Sequence, residues 1–256
     1  MKSRESLKIM LSRLLHDRPL ANVSSRVAHL VSPPTLHELY VQSALLTTVV
    51  DDAVEAIVDG GVSYAQEYAE VRARIAREAS EASQHYPDNW AIEEGTGYLL
   101  YTLVRSTKPS LAIEVGVADG RSTQVILSAL DANESGHLVS VDIKHDVGGA
   151  AVGHPRWELR TRTPGGRATR QLRELLEDVE APGFFFHDAG HTYYEQYADY
   201  LVAWERMRPG GILMSDDVDW SWAFIDFARR FALNPVVLTD GRKAAGVVIR
   251  TPAADL

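Results

Sequence analysis

The sequence predicts an α/β fold in which a parallel sheet, covered by helices on both faces, ends in an antiparallel hairpin. From about residue 90 onward, short apolar runs alternate with helical stretches, a pattern typical of parallel strands joined by crossover helices. The last two apolar runs, 236–239 and 247–250, are joined by a segment too short for a crossover helix, so they should pair antiparallel. The first third of the chain is helical in pattern and should form an extension to this sheet.

The parallel strands are predicted from five buried apolar runs, which lie at 111–115, 137–141, 157–161, 184–187 and 212–215. Helices are expected between them, at 122–132, 168–179, 194–207 and 220–231. We therefore divide the chain into a helical N-terminal extension, 1–89, and an α/β domain, 90–256. The extension is expected to act as a lid or a dimer interface.

Local signals also predict the helices of the extension. Residues 1–20 have the apolar spacing of a short amphipathic helix. The side chain of Thr35 can cap a helix that runs to Val58 and stops at Gly60 and Gly61. A capping box at Ser63 predicts a further helix to about residue 83.

Composition excludes several classes of function. The 256 residues include no cysteine, which rules out disulfides, zinc thiolate sites and thiol nucleophiles. The net charge of −9 makes nucleic acid a poor partner. No apolar run is long enough to span a membrane, and residues 1–20 lack the uninterrupted apolar core of a signal peptide. We expect a cytoplasmic protein.

A glycine-bearing turn follows the first predicted strand, in the segment Glu114-Val-Gly-Val-Ala-Asp-Gly-Arg-Ser122. Gly116 and Gly120 let the backbone turn tightly and approach a ligand. The spacing lacks the third glycine of a pyrophosphate-binding loop, because Ala118 stands in its place. Asp142 ends the second strand, where a carboxylate can accept hydrogen bonds from both ribose hydroxyls of an adenosine cofactor.

The turn around Gly116, together with Asp142, resembles the cofactor site of S-adenosylmethionine (SAM)-dependent methyltransferases. Segments 188–197, 208–211 and 216–220 are similar to the cation-dependent O-methyltransferases, which include catechol, caffeoyl-coenzyme A and sugar enzymes. This resemblance covers about residues 90–250. It implies a class I, Rossmann-like sheet of order 3-2-1-4-5-7-6, with the predicted strands numbered along the chain. It also implies SAM as cofactor, with these candidate contacts: Glu114, Gly116, Gly120, Ser122, Asp142 and Asp188.

Three aspartates follow the fourth and fifth predicted strands, which should be neighbours. Asp188, Asp216 and Asp217 could therefore share one divalent ion, and carboxylate oxygens suit Mg²⁺, Mn²⁺ or Ca²⁺. In the resembled family, Asp188 and Asp216 match two aspartate ligands, and Asp217 stands where many members carry asparagine. The alternative is that Asp216 and Asp217 cap a helix starting near residue 220.

His191 is the predicted general base. It stands where the resembled family often has lysine, and its ordinary pKa of about 6.5 leaves the ring mostly neutral at pH 7. A metal-ligand role and a purely structural role remain alternatives. His187 is expected to pack at a strand end. Trp220 could wall an acceptor pocket or serve only in helix packing.

These observations predict a metal-assisted, SAM-dependent O-methyltransferase that modifies one of two adjacent hydroxyls on a small molecule. The acceptor is expected to be a sugar or catechol moiety of a secondary metabolite, and the protein a homo-oligomer, a dimer. One alternative is a metal-independent methyltransferase that uses His191 alone. A nicotinamide oxidoreductase and a non-catalytic SAM-binding protein are the others.

Overall fold

The computed structural model describes residues 32–81, 86–87, 91–163, 168–240 and 242–251. Within these residues, the strands are β1 (Leu45–Thr47), β2 (Leu111–Val115), β3 (His137–Asp142), β4 (Trp157–Thr161), β5 (Phe184–His187), β6 (Ile212–Ser215), β7 (Val236–Asp240) and β8 (Lys243–Ile249). The α-helices are α1 (Leu36–Gln42), α2 (Val50–Ile57), α3 (Ala65–Glu81), α4 (Glu94–Thr107), α5 (Arg121–Ala132), α6 (Ala168–Leu175), α7 (Tyr193–Arg206) and α8 (Ala223–Arg230).

The described strands form one sheet of order β1-β7-β8-β6-β5-β2-β3-β4. The pairs β2–β3, β3–β4, β2–β5 and β5–β6 are parallel, and β8 runs antiparallel to both of its neighbours, β6 and β7. This confirms the predicted α/β class, the antiparallel hairpin and the order of the seven predicted strands. An additional strand, β1, lies parallel to β7 at the edge of the sheet.

Alternating strand residues divide the interior into two cores, one on each face of the sheet. Phe185 and Leu213 belong to a core shared with α6, α7 and α8. Phe184, Phe186 and Met214 belong to a core shared with α2, α3, α4 and α5. Because both faces of the central strands are buried, these strands are mainly apolar on both faces rather than alternating, as expected of a covered parallel sheet.

The predicted helix from Thr35 to Val58 is correct at its start and wrong in its middle. Thr35 and Glu38 form a capping box at α1, but the helix ends at Gln42. Residues 45–47 then form β1, with Leu45 paired to Val236 of β7. A run of β-branched residues at 47–50 weakens the helix locally, and the unpaired edge of β7 offers a partner in its place. Tertiary pairing therefore overrides the helical pattern.

The sequence reading also missed α4. Its first turn is capped from a distant part of the chain, since the side chain of Asp240, at the end of β7, accepts from the backbone N–H groups of Gly95 and Thr96. Such a cap leaves no local signal. Other helix boundaries also differ, because α6 ends at Leu175 rather than 179, and α8 begins at Ala223 rather than 220.

The predicted extension contributes to both the sheet and its packing. Besides β1, it supplies Ala53, Val54, Tyr68 and Ile75 to the core that contains α4 and α5. Ser63, predicted to form a capping box, shares a 2.9 Å hydrogen bond with the hydroxyl of Tyr98. The predicted helix within residues 1–20 lies outside the described residues, and the domain division at residue 89 stays a prediction. None of the described helices is both long and apolar enough to cross a membrane.

Glu114 of β2 links the first turn of α5, which follows the glycine turn, to the sheet. Its fully buried carboxylate accepts hydrogen bonds from the hydroxyls of Ser122 (2.6 Å), Thr123 (2.7 Å) and Ser140 (2.7 Å). These hydroxyls belong to the first turn of α5 and to β3, so one side chain joins three elements. Burial raises the pKa of Glu114 to about 7, although the three hydroxyls partly oppose this shift.

Replacing Glu114 by Gln tests this assignment through the pH dependence of stability. Because the folded-state pKa is raised, the stability linked to the protonated carboxyl is complete below pH 4.5 and is lost as the pH rises through about 7. Between pH 4.5 and pH 8, the free energy of unfolding of the unmodified protein should therefore fall by on the order of 3 kcal/mol relative to that of Glu114→Gln. Urea denaturation across this range measures the difference, and two parallel stability profiles would contradict the assignment.

Candidate active site

A cavity of about 660 Å³ lies at the carboxyl ends of the central strands. This is where α/β sheets bind ligands, next to the point at which the strand order reverses. The sequence-predicted residues on its wall are Gly116, Ser122, Asp142, Asp188, His191 and Asp217. Glu114, Gly120 and Asp216, also predicted as site residues, lie behind that wall and are absent from its lining.

The glycine turn brings the backbone to the cavity. Gly116 and Gly120 have positive φ angles of 95° and 78°. A β-carbon at Gly116 would collide with the carbonyl oxygen of Asp188, and one at Gly120 with that of Gly148. Gly116 therefore permits both the turn and its close packing against the end of β5. Gly120, predicted as a cofactor contact, packs against residue 148 instead of facing the cavity.

Asp142 lies beside this turn and is oriented by backbone groups. Its Oδ2 accepts from the N–H of Val117 at 2.8 Å, and its Oδ1 accepts from the N–H of Lys144 at 2.9 Å. Each carboxylate oxygen retains a further lone pair, so Asp142 can also accept from ligand hydroxyls. The predicted neighbourhood of Asp142 and Gly116 is present in the structure.

The acidic cluster lies where β5 and β6 end. The backbone N–H of Asp188 donates to Val115 at 2.8 Å, and that of Asp216 donates to His187 at 2.9 Å, so both residues continue the hydrogen-bonding pattern of the sheet. At Asp217 the chain turns, with a left-handed φ of 53°. This turn brings two successive side chains to the same place, which an extended strand could not do.

Lys243, which the sequence reading missed, joins the two successive aspartates. Its Nζ lies 3.1 Å from Oδ2 of Asp216 and 3.2 Å from Oδ2 of Asp217. Burial opposes the charge on Lys243, but the carboxylates of Asp216 and Asp217 outweigh it and raise the pKa of this ammonium. An isolated lysine at the start of an apolar strand was the available sequence signal, but this residue falls in a segment predicted as a loop.

Burial and mutual repulsion perturb the carboxyl groups of the cluster. The pKa of Asp188 is raised well above its ordinary value, first by burial and then by the charge of Asp216. Burial and the neighbouring Asp217 raise the pKa of Asp216 to about 7. Among the described residues, the second oxygens of Asp216 and Asp217 are buried without a hydrogen-bond partner.

His191 lies immediately before α7 on the other side of Asp217. Its Nε2 is 3.3 Å from Oδ2 of Asp217, and its ring is tilted against Trp220 with 5.5 Å between centroids. Burial lowers the pKa of His191, and the charge of Asp217 opposes only part of that effect. The ring is therefore neutral at pH 7, as a general base requires.

The predicted cation ligands and the observed grouping differ. Asp188, His191 and Asp217 offer ligand atoms that lie within 4.8 Å of one another. Asp216, predicted as a ligand, is outside this group and is paired with Lys243. The alternative role of Asp216 and Asp217 as helix caps is wrong, because α8 begins after Trp222 and has no side-chain cap.

A buried ion pair beneath the cavity was also missed. Arg162 donates two hydrogen bonds to Asp199, at 2.9 and 2.8 Å, and its side chain forms part of the cavity wall. His187, predicted to pack at a strand end, is fully buried, with Nε2 3.4 Å from Oδ2 of Asp199. The pairing joins the end of β4 to α7, two elements whose adjacency is a property of the fold.

Comparison with known proteins agrees with this architecture. Residues 113–218 match a family model described as a methyltransferase domain. The caffeoyl-CoA O-methyltransferase of Stellaria longipes is 30% identical over 151 residues, which cover 56% of this chain and 61% of that protein. The chain thus matches less than two thirds of the length of this relative.

Two solved structures share the fold. The O-methyltransferase TomG from Streptomyces achromogenes, solved with SAM, has a TM-score of 0.54 at 18% identity, covering 71% of this chain and 90% of TomG. An O-methyltransferase from Bacillus cereus, solved with S-adenosylhomocysteine (SAH), has a TM-score of 0.51 at 19% identity, covering 79% of this chain and 97% of the other. Residues 113–218 are therefore similar to a methyltransferase domain, and the chain has the fold of these two solved O-methyltransferases.

Proposed function

We propose that this chain is a SAM-dependent O-methyltransferase that acts on a hydroxyl group of a small molecule. The observation that carries the proposal is one cavity whose wall holds two chemically different groups of residues. We assign the glycine turn with Asp142 to the donor and His191 with Asp217 to the acceptor, and we call these the donor end and the acceptor end. The O-methyltransferase activity in the names of the sequence relative and the two structural neighbours supports the same reaction.

The first end suits the adenosine part of SAM. Gly116 lies on the cavity wall without a side chain, so its backbone can approach the donor, and Asp142 can accept from both ribose hydroxyls. When bound, SAM supplies a methyl group made electrophilic by its sulfonium sulfur.

The second end suits deprotonation of a hydroxyl. The imidazole of His191 accepts the proton, and the carboxylate of Asp217, 3.3 Å from Nε2, stabilises the imidazolium that forms. The acceptor oxygen then takes the methyl group, and the donor leaves as SAH. Trp220, which is 61% exposed, extends a flat apolar wall beside His191 for the acceptor. Adjacent hydroxyls on a sugar or catechol moiety of a secondary metabolite remain the proposed acceptor.

The sequence also predicts a divalent cation at this site. Asp188, His191 and Asp217 would hold it, and a bound Mg²⁺ or Mn²⁺ would lower the pKa of a coordinated hydroxyl. An ion there would also engage His191, the proposed base. The second candidate is metal-independent transfer with His191 as base, and the ammonium of Lys243 on the same acidic cluster favours it. The metal-assisted and the metal-independent reaction are both compatible with the proposed dimer.

The donor end can be tested by replacing Asp142 with Asn. This change removes a charged acceptor and places an amide N–H₂ against one of two backbone donors, so SAM should bind about 10- to 100-fold more weakly. Titration calorimetry measures the affinity. Asp131→Asn, a surface change outside the cavity, serves as the control and should leave SAM binding unchanged. Tighter binding of NAD than of SAM would favour the nicotinamide oxidoreductase instead.

The acceptor end can be tested once a panel of catechols and sugars, assayed with labelled SAM, yields an acceptor. His191→Gln should lower kcat by about 10²- to 10⁴-fold, the usual contribution of a general base. SAM affinity should stay within a few-fold, because His191 is assigned to the other end of the cavity. His37→Gln, an exposed change on α1, is the matched control. Full turnover by His191→Gln would rule out its role as base.

A further inference from the structure

We infer that the ammonium of Lys243 supplies the positive charge of the acidic cluster, in place of the metal ion that the three aspartates predict. This inference rests on the proposed methyl transfer for its functional meaning. The placement of the ammonium against two buried carboxylates carries it, and that placement is independent of the reaction.

The position of Lys243 follows from the antiparallel insertion of β8. Ser215, the last residue of β6, pairs with Gly246 of β8, so the start of β8 lies beyond the end of β6. The turn after β6 is bonded to this segment, since Val218 donates to the carbonyl of Ala244 at 2.9 Å. A parallel strand in this place would present its opposite end to the aspartates.

Burial makes the pairing strong enough to compete with an ion. The side chain of Lys243 is 9% exposed, and those of Asp216 and Asp217 are 0% and 3% exposed. Buried carboxylates require a positive partner, and screening by solvent is weak at such a site. Lys243 supplies one positive charge directly to two of the three carboxylates.

A dication would have to share the carboxylate of Asp217 with this ammonium. Oδ2 of Asp217 faces both Lys243 Nζ, at 3.2 Å, and His191 Nε2, at 3.3 Å. An ion bound to either oxygen of this carboxylate would therefore lie close to a positive charge held in place by Asp216. Repulsion at short range in a buried site disfavours this arrangement. The unmodified protein should bind divalent ions weakly at this cluster.

The ammonium can also act on the acceptor. Lysine has three N–H donors, and two of them are accounted for by Asp216 and Asp217. Lys243 belongs to the cavity wall together with His191 and Asp217. Within the described residues no hydrogen bond is assigned to the third donor, so it can serve an acceptor oxygen and would stabilise negative charge there as His191 removes the proton.

The decisive experiment titrates the full chain with Mn²⁺ and follows the free ion by electron paramagnetic resonance. The variant Lys243→Met keeps an unbranched side chain one atom shorter and removes the charge, so it should bind Mn²⁺ at least about 10-fold more tightly than the unmodified protein. Lys243→Arg, which restores a positive charge, should bind as weakly as the unmodified protein. Lys108→Met, an exposed change outside the cavity, is the matched control and should also bind weakly.

Turnover gives a second readout. The unmodified protein should keep its activity in chelator, whereas Lys243→Met should be slow in chelator and recover when Mn²⁺ is added. Tight Mn²⁺ binding by the unmodified protein, or loss of its turnover in chelator, would overturn the inference even if Lys243→Met failed to fold. Absence of methyl transfer to every acceptor would refute the proposed function alone, since Mn²⁺ affinity still decides the role of Lys243.

Discussion

Three carboxylates lie close together at neighbouring strand ends, two of them buried and one half-buried, and this crowding is the constraint on which the rest of the site depends. Asp188, Asp216 and Asp217 cannot all be ionised in such a place without positive charge nearby. Two features reduce this repulsion: the pKa values of Asp188 and Asp216 are raised, and the ammonium of Lys243 lies between Asp216 and Asp217. The chemistry available at the cluster is set by how this negative charge is compensated.

The two ends of the cavity are built by different means. At the donor end, a fully buried Glu114 holds the start of α5 to β2 and β3, so the glycine turn above it is supported by rigid elements. At the acceptor end, side chains converge from the ends of β5 and β6, from the start of β8 and from the residue before α7. Because these residues lie at the ends of sheet strands and at the start of a helix, their backbone groups and side chains are held in fixed positions.

Much of the fold could be predicted because its signals are local. Apolar runs such as 184–187 are buried on both faces, and the glycines that follow or precede the strands mark their ends. The order of the strands came from resemblance, and the structure confirms it. The elements that were missed depend on distant partners. Strand β1 exists through pairing with β7, and the start of α4 is capped by Asp240.

The sequence by itself determined the class of the fold, the glycine turn beside Asp142, and the presence of aspartates and a neutral histidine at strand ends. These features follow from composition and from the spacing of apolar and polar residues within single helices, strands and turns. Only the tertiary structure decided which of those residues meet. It placed Asp216 behind the cavity, grouped Asp188 with His191 and Asp217, and brought Lys243 onto the aspartates. The reason is that convergence depends on which strands are neighbours in the sheet and on the left-handed turn at Asp217, neither of which has a local sequence signature.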